Sequence, residues 1–367
     1  MKQILINGLQ YAKRGAGISR YTFKLAGHMY DDVDAVVQEN VSNDFSKKNN
    51  IKICRKNVNS SKGRIITEQL SLLSLYKQYD LVHFPDYATP ILYRGKKVAT
   101  IHDMAMFTMK DKYTKSQVIT KRFFMDRTIK TADKLICISE FTAKELKKYY
   151  PNIDDKKIEV IYNGFDYTQV NLTEKEKQST LQKFNINSKY LLYVGTIAPH
   201  KNIDRLIEAF KNLKEKGYKH QLVIAGKKGW MYNEVFEKVK ELNLEDFVVF
   251  TDYISDKELE VLYQEADVFT FPSLYEGFGF PPIEAMARKV PVVSSGEGAL
   301  LEVVGNAALI CNPYDVNDIS NKIEEVINNE ELRLDLIFKG IDRYKYFSWE
   351  KTCKQTYEVY KSVLRGE

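Results

Sequence analysis

No apolar run in this sequence approaches the roughly 18 residues that a membrane-spanning helix requires. The opening, MKQILINGLQYAKRG, holds too short an apolar stretch for a secretory signal. A cytoplasmic location is therefore expected. Cysteine is scarce as well. Cys54, Cys137, Cys311 and Cys353 lie scattered, mostly among apolar neighbours, without the short paired spacings of zinc or redox sites. Plain thiols are expected. No sequence repeat relates the two halves of the chain.

What is present is an ordinary globular balance, 44% hydrophobic and 28% charged, in a 367-residue chain too long for the usual single domain. The net charge of +6 hides an asymmetry. Residues 1–170 carry 29 Lys+Arg against 18 Asp+Glu, or +11; the remainder carries 26 against 31, or −5. A basic half suits a phosphate-bearing partner, an anionic membrane surface or a nucleic acid, or is simply a solvated Lys-rich surface. No nucleic-acid motif accompanies the charge, so no nucleic-acid partner is expected.

Residues 2–7 read as a short buried strand, followed by a loop containing Gly15 and Gly17 and a helix from about Ile18. Further strand-like runs fall at 81–84, 97–101, 134–138 and 159–162, with helix-like stretches at 116–131 and 140–149 between them. After Asn163 and Gly164 the chain turns polar through NLTEKEKQST. The alternation then restarts at 190–195, with strand-like runs at 221–225, 247–250, 268–271, 290–293 and 307–310. Strands alternating with helices imply parallel sheets. The expected class is α/β, with two Rossmann-like domains (1–170 and 171–345) facing across a cleft. A C-terminal helix (346–367), marked by Trp349, Cys353, Tyr357 and Tyr360 near helical spacing, is expected to pack back on the first domain. Open parallel sheets bind ligands beyond the carboxyl ends of their strands, so functional residues should follow strands.

Four segments in that position carry chemistry. In SLYEGFGFPPIEAMA, residues 273–287, Gly277 and Gly279 permit close backbone approach to a ligand, and Pro281 or Pro282 suits the first turn of a helix. The start of that helix suits a diphosphate. Glu276 and Glu284, with seven residues between them, can each accept two hydrogen bonds from a vicinal diol. A capping loop with surface glutamates is the plainer alternative. After YLLYVG, the loop with Gly195, Thr196, His200, Lys201 and Asn202 enters the helix NIDRLIEAF, and Lys201 is placed to meet a diphosphate unless it is a surface lysine. In RGAGISRYTFKL, Gly17 can offer its N–H to a phosphate and Arg20 can face an anion; an ordinary turn accounts for the same residues. His102 and Asp103 follow KVATI, where a buried structural histidine is the alternative.

The glutamate pair resembles the motif of the retaining glycosyltransferases of family 4 (group 1, GT-B fold), in their mannosyltransferase-like subgroup, and the resemblance extends along most of the chain. It implies that Glu276 contacts the donor sugar and Glu284 the nucleotide ribose, while the backbone at Gly277, Phe278 and Gly279 holds sugar hydroxyls and phosphate. Family members pair an arginine with the lysine matched by Lys201; this chain has Thr196 and His200 at the two places where that arginine occurs. Neutral His200 donates one hydrogen bond, so equivalence needs protonation. Tyr253 and Ile254 would border the base. His102 would stand near the transferred sugar, with Gly15, Arg20 and Asp103 on the acceptor side.

The resemblance implies retention through front-face attack, which needs no enzymic nucleophile, and it implies no resident cofactor, the nucleotide sugar being a substrate. The carboxylate pair of metal-dependent sugar transferases is missing, so no metal site is expected. Gly-Thr after the strand and Lys-Asn at the helix resemble the subgroup rich in mannosyl and rhamnosyl transferases, and that resemblance implies GDP-mannose, with UDP-linked sugars open. A glycan or lipid-linked oligosaccharide of surface polysaccharide assembly is the expected acceptor. The stretch TKRFFMDRTIK would either touch an anionic membrane peripherally or form a half-buried helix. A nucleotide-sugar epimerase and a non-catalytic binding partner are the competing functions.

Overall fold

The structure is a computed structural model that describes residues 3–12, 17–45, 50–56, 58, 60–109, 113–252 and 254–367. The chain forms two compact units, one of Met1–Gly164 with Phe347–Glu367, the other of Phe165–Tyr346.

The first unit is built on a seven-stranded sheet of β1 (Ile4–Asn7), β2 (Val33–Gln38), β3 (Ile51–Cys54), β4 (Leu81–Phe84), β5 (Lys96–Ile101), β6 (Lys134–Cys137) and β7 (Ile158–Val160). Its order is β3-β2-β1-β4-β5-β6-β7 and every pairing is parallel. β1 and β4 are buried at every position, as strands covered by helices on both faces must be. The order reverses between β1 and β4, whose register sets Ile4 beside Leu81. Two strands of this sheet, β2 and β3, were not among the runs expected from the sequence. β3, IKIC, lies at the sheet edge with Lys52 and Ile53 exposed, so it lacks the apolar signature of a central strand.

The helix Trp349–Arg365 belongs to this first unit, burying Trp349, Cys353, Tyr360 and Val363 in its core. A side chain on Gly164 would meet the Trp349 backbone at 2.5 Å, so glycine is required where the chain passes beneath that helix. Thr352 Oγ1 donates to the Tyr162 carbonyl at 2.8 Å. Tyr360 hydrogen-bonds the buried His83, whose other ring nitrogen meets Thr100 Oγ1 at 2.8 Å, and Thr100 in turn meets the Tyr21 hydroxyl at 3.1 Å. Burial, helped by the nearby charge of His102, pulls the His83 pKa down to about 3.

The second unit carries a six-stranded parallel sheet of β8 (Tyr190–Val194), β9 (Gln221–Ala225), β10 (Val248–Phe250), β11 (Val268–Phe271), β12 (Val292–Ser295) and β13 (Leu309–Cys311). Its order is β10-β9-β8-β11-β12-β13, reversing between β8 and β11. The crevice beyond such a reversal is where an open α/β sheet takes ligands. Among the described residues no helix is long and apolar enough to cross a membrane. The four cysteines are buried and free, and burial pushes the Cys137 and Cys311 thiols up to about 12. The basic stretch noted above lies in the helix Lys115–Thr131, which buries Phe124, Met125 and Ile129 and leaves Ile119 and Phe123 exposed.

Candidate functional site at a strand-order reversal

β8 and β11 are hydrogen-bonded neighbours, so the loops that leave their carboxyl ends emerge side by side. The β8 loop runs through Gly195 and Thr196 to a turn at Pro199–Lys201 and enters the helix Ile203–Glu215. The β11 loop runs through Ser273 and Glu276 to the helix Phe280–Ala287. Lys201 Nζ stands 2.5 Å from Glu276 Oε1, with both side chains about 15% exposed or less (15% and 13%). Ser273 Oγ lies 2.8 Å from the same Glu276 oxygen and 3.0 Å from the His200 carbonyl, and can donate to one of them at a time. A half-buried carboxylate thus holds an ammonium at the point where the sheet order reverses.

The loops are tied together below this pair. Asn202, fully buried and in the left-handed region at φ +59°, donates from one amide group to the carbonyls of Pro272 (2.9 Å) and Pro313 (2.7 Å). Its oxygen accepts from Arg205 at 2.8 Å. Leu274 N–H donates to the His200 carbonyl at 2.8 Å. The loop after β9 braces the other side, with Ile197 N–H on the Lys227 carbonyl at 2.9 Å and Gly229 N–H on the Ile197 carbonyl at 3.0 Å. Thr196 is exposed above that brace. His200 contributes its carbonyl to the loop contact.

Glu276 is also fixed through its backbone. Its carbonyl accepts from Ala299 N–H at 2.9 Å, and a side chain on Gly298, at φ +65°, would strike Glu276 O at 2.5 Å and N at 2.7 Å. Gly277 is partly exposed while Phe278 and Gly279 are buried. Gly279 precedes the helix at φ +105°, a conformation that glycine adopts without strain. The dipole end of the helix points into this loop, but Pro281 and Pro282 remove two of its first-turn N–H donors, so anion binding there rests on fewer amides than the sequence suggested.

Glu284, on the same helix, accepts from the Tyr263 hydroxyl at 3.0 Å. Arg288 binds the Glu284 carbonyl at 2.8 Å and pairs with the buried Glu260 at 2.7 Å, which locks the helix against its neighbour. Ile254 packs partly into the core just before the helix Asp256–Gln264. Tyr253 lies outside the described residues, as does Gly15.

In the first unit, His102 follows β5. Its Nε2 lies 2.9 Å from the Pro85 carbonyl, which fixes Nε2 as the protonated nitrogen, and its ring sits edge-on to Tyr21 at 4.9 Å. Burial lowers its pKa, against the opposing pull of the Pro85 carbonyl and of Asp86 and Asp103. Asp103 is exposed and accepts from Ala105 N–H at 2.9 Å. Gly17 starts the helix Ile18–His28 at φ +56° without a side-chain cap, and Arg20 stands, partly exposed, in its first turn. Among the described residues no cluster of three or more His, Cys, Asp or Glu side chains could hold a metal ion.

Sequence reasoning did not single out Ser273 as a partner of Glu276, Gly298, the Tyr263–Glu284 contact or the Glu260–Arg288 pair. Only Gly298, in the glycine-bearing run SSGEG, carried any local signal. Ser139 and Gly164 serve the fold: Ser139 caps the helix Glu140–Tyr149 and Gly164 makes room for Trp349.

Two parallel α/β units, each with its strand order reversing beside a set of loop residues, form an architecture shared with solved glycosyltransferases. The Anabaena HepE structure, in complex with UDP and glucose, superposes with a TM-score of 0.79 over 99% of this chain and 100% of that one, at 16% identity, a likeness of fold. The pattern of the glycosyl transferases group 1 matches residues 174–343, and that of glycosyltransferase family 4 matches residues 16–169. The O-antigen chain mannosyltransferase B of Escherichia coli is 32% identical over 289 residues, 78% of this chain and 75% of that protein. The O-antigen chain mannosyltransferase RfbU of Salmonella typhimurium is 29% identical over 338 residues, 88% and 90% of the two chains. This chain belongs to glycosyltransferase family 4, group 1, and is a glycosyltransferase.

Proposed function

We propose that the protein is a retaining, metal-independent hexosyltransferase that moves mannose from GDP-mannose to a glycan or lipid-linked oligosaccharide during surface polysaccharide assembly. The observation that carries this reading is the Lys201–Glu276 pair at the β8–β11 reversal, 2.5 Å apart and largely shielded from solvent. An ammonium so placed can exchange its carboxylate partner for a diphosphate, and the released carboxylate can then accept hydroxyl hydrogens from the sugar. Glu284 would take the ribose hydroxyls, with Thr196, His200, Ile254 and the backbone of Gly277, Phe278 and Gly279 lining the rest of the donor; the family resemblance assigns Gly17 to the phosphate.

In front-face transfer the bond from the anomeric carbon to the phosphate oxygen breaks while the acceptor oxygen bonds to the same face. The acceptor proton passes to the leaving phosphate. His102 and Glu276 then position the sugar and stabilise its positive charge, and Lys201 offsets the charge growing on the diphosphate. Arg20 and Asp103 would face the acceptor. The mannosyl donor is supported by the names of the two bacterial relatives, and the exposed Ile119 and Phe123 on a basic helix support a peripheral contact with an anionic membrane.

A thermal-shift series with GDP, UDP, ADP and dTDP and their sugars, with EDTA in place of metal, tests the donor, because a ligand that binds only the folded chain raises the melting temperature. A selective rise with GDP and GDP-mannose is expected. A rise with UDP alone would overturn the donor, and no rise with any of them would overturn the nucleotide site proposed at Lys201 and Glu276. The anomeric configuration of the product, read by NMR, tests retention.

A further inference from the structure

The two carboxylates of the second unit's site are held in different ways. Glu276 is paired with the Lys201 ammonium at 2.5 Å, a charged partner that a ligand must displace. Glu284 accepts from the Tyr263 hydroxyl at 3.0 Å, a neutral donor carried by the helix Asp256–Gln264. A carboxylate oxygen accepts more than one hydrogen bond, so Tyr263 can fix the Glu284 side chain and still leave it capacity for a ligand.

Tyr263 is itself held in place. It is fully buried, its ring leans on Phe269 of β11 at 5.8 Å, and the Arg288 guanidinium lies over the same ring at 4.8 Å. Arg288 stands four residues after Glu284, the spacing at which a glutamate and an arginine on a helix ordinarily pair. Its guanidinium turns elsewhere. Nη2 and Nε meet Glu260 Oε2 at 2.7 and 2.8 Å, and Nη1 meets the Glu284 carbonyl at 2.8 Å. Tyr167 and Gln264 close on the other Glu260 oxygen at 3.0 and 2.8 Å. The cation is thus matched by the buried Glu260, and what reaches the Glu284 carboxylate from this cluster is a hydroxyl.

Packing accounts for the ring of Tyr263. Its hydroxyl goes to a partly exposed carboxylate at the site. We propose that Tyr263 is a positioning residue for ribose recognition: steadied by Arg288, its hydroxyl holds Glu284 in the orientation that takes both ribose hydroxyls, and so sets the preference of the site for ribonucleotides over deoxyribonucleotides. A glutamate free to rotate loses rotamer freedom when it closes on a diol, and one already held does not. The inference rests on the assignment of Glu284 to the ribose given above.

Calorimetric titration of the full chain with GDP, UDP and their 2′-deoxy forms tests it. For the nucleotide that binds, the wild type should prefer the ribo form at least about tenfold, the scale of a hydrogen bond to a charged group. Tyr263→Phe keeps the ring and removes the hydroxyl. It should shrink that preference at least about threefold, the scale of one neutral hydrogen bond, and leave affinity for the deoxy form within about twofold. Its circular dichroism should match that of the wild type. Glu284→Gln should lose the preference as well, which ties it to that carboxylate. An undiminished preference in Tyr263→Phe, or equal weakening of its ribo and deoxy complexes, would overturn the proposal and leave Glu284 with the ribose. No preference in the wild type, or a preference kept by Glu284→Gln, would overturn both the proposal and the ribose role of Glu284. Binding of none of the four would strike the nucleotide site itself, and this inference with it.

Discussion

At the scale of single residues, the paired ions at the β8–β11 reversal make separable predictions. Glu276→Ala should lower turnover by at least about 100-fold, the scale of a lost transition-state contact, with secondary structure retained by circular dichroism. Near-normal turnover would remove Glu276 from the mechanism. Glu276→Gln keeps an oxygen for Ser273 but no charge for Lys201, so its turnover should stay close to that of the alanine variant if charge is what matters. Lys201→Ala should weaken nucleoside diphosphate binding at least about tenfold by calorimetry, since a charge-assisted contact to phosphate is lost. Unchanged affinity would mean that the lysine serves only its glutamate. Lys201 is paired directly with Glu276.

At the scale of elements, the site depends on loops that are held rather than on loops that happen to be near. Asn202 bridges two carbonyls from two different loops, and Gly298 leaves the Glu276 backbone room to sit against it. Gly298→Ala places a methyl group against backbone atoms at a positive φ, and should displace Glu276 with little disturbance elsewhere. The expected result is a loss of turnover larger than the fall in melting temperature would explain; equal losses in both would mean general unfolding. Asn202→Ala leaves two buried carbonyls without their donor and should cost about 2–4 kcal/mol in urea unfolding of the second unit.

At the scale of the whole molecule, the last 21 residues complete the unit that the chain began, since Phe347–Glu367 returns to the first sheet. The buried chain from Tyr360 through His83 and Thr100 to Tyr21 reaches from that helix to the ring beside His102. His83 has a folded pKa far below its ordinary 6.5, at about 3. A group depressed in this way stays neutral while the unfolded chain takes up a proton, so its contribution is present above pH 6.5 and is lost as the pH falls towards 3. Urea unfolding followed by the fluorescence of buried Trp349, in a Trp230→Phe background, should show the first unit weakening over that window. His83→Gln should flatten the dependence there; an unaltered slope would show that other groups set it. Tyr360→Phe should cost about 1 kcal/mol through its lost hydrogen bond.

Much of this organisation was legible in the residue order. The alternation of short apolar runs with helical stretches gave two parallel sheets, and 81–84, 221–225 and 268–271 coincide with β4, β9 and β11. Glu276, Glu284 and Lys201 stood out because glycine, proline and charge directly after a strand are local patterns. β2 and β3 escaped because a six-residue strand and an edge strand with exposed positions carry little periodicity of their own; pairing with β1 defines β2, and pairing with β2 defines β3. Nor could the sequence say that Lys201 meets a carboxylate 75 residues away, or that Arg64, Glu68 and Asp86 share one buried corner. Backbone preference and hydrophobic period are written within a dozen neighbouring residues. Which charge meets which is set by parallel crossovers that lay distant strand ends side by side, and by burial that makes each unpaired group costly; these only the tertiary structure decided.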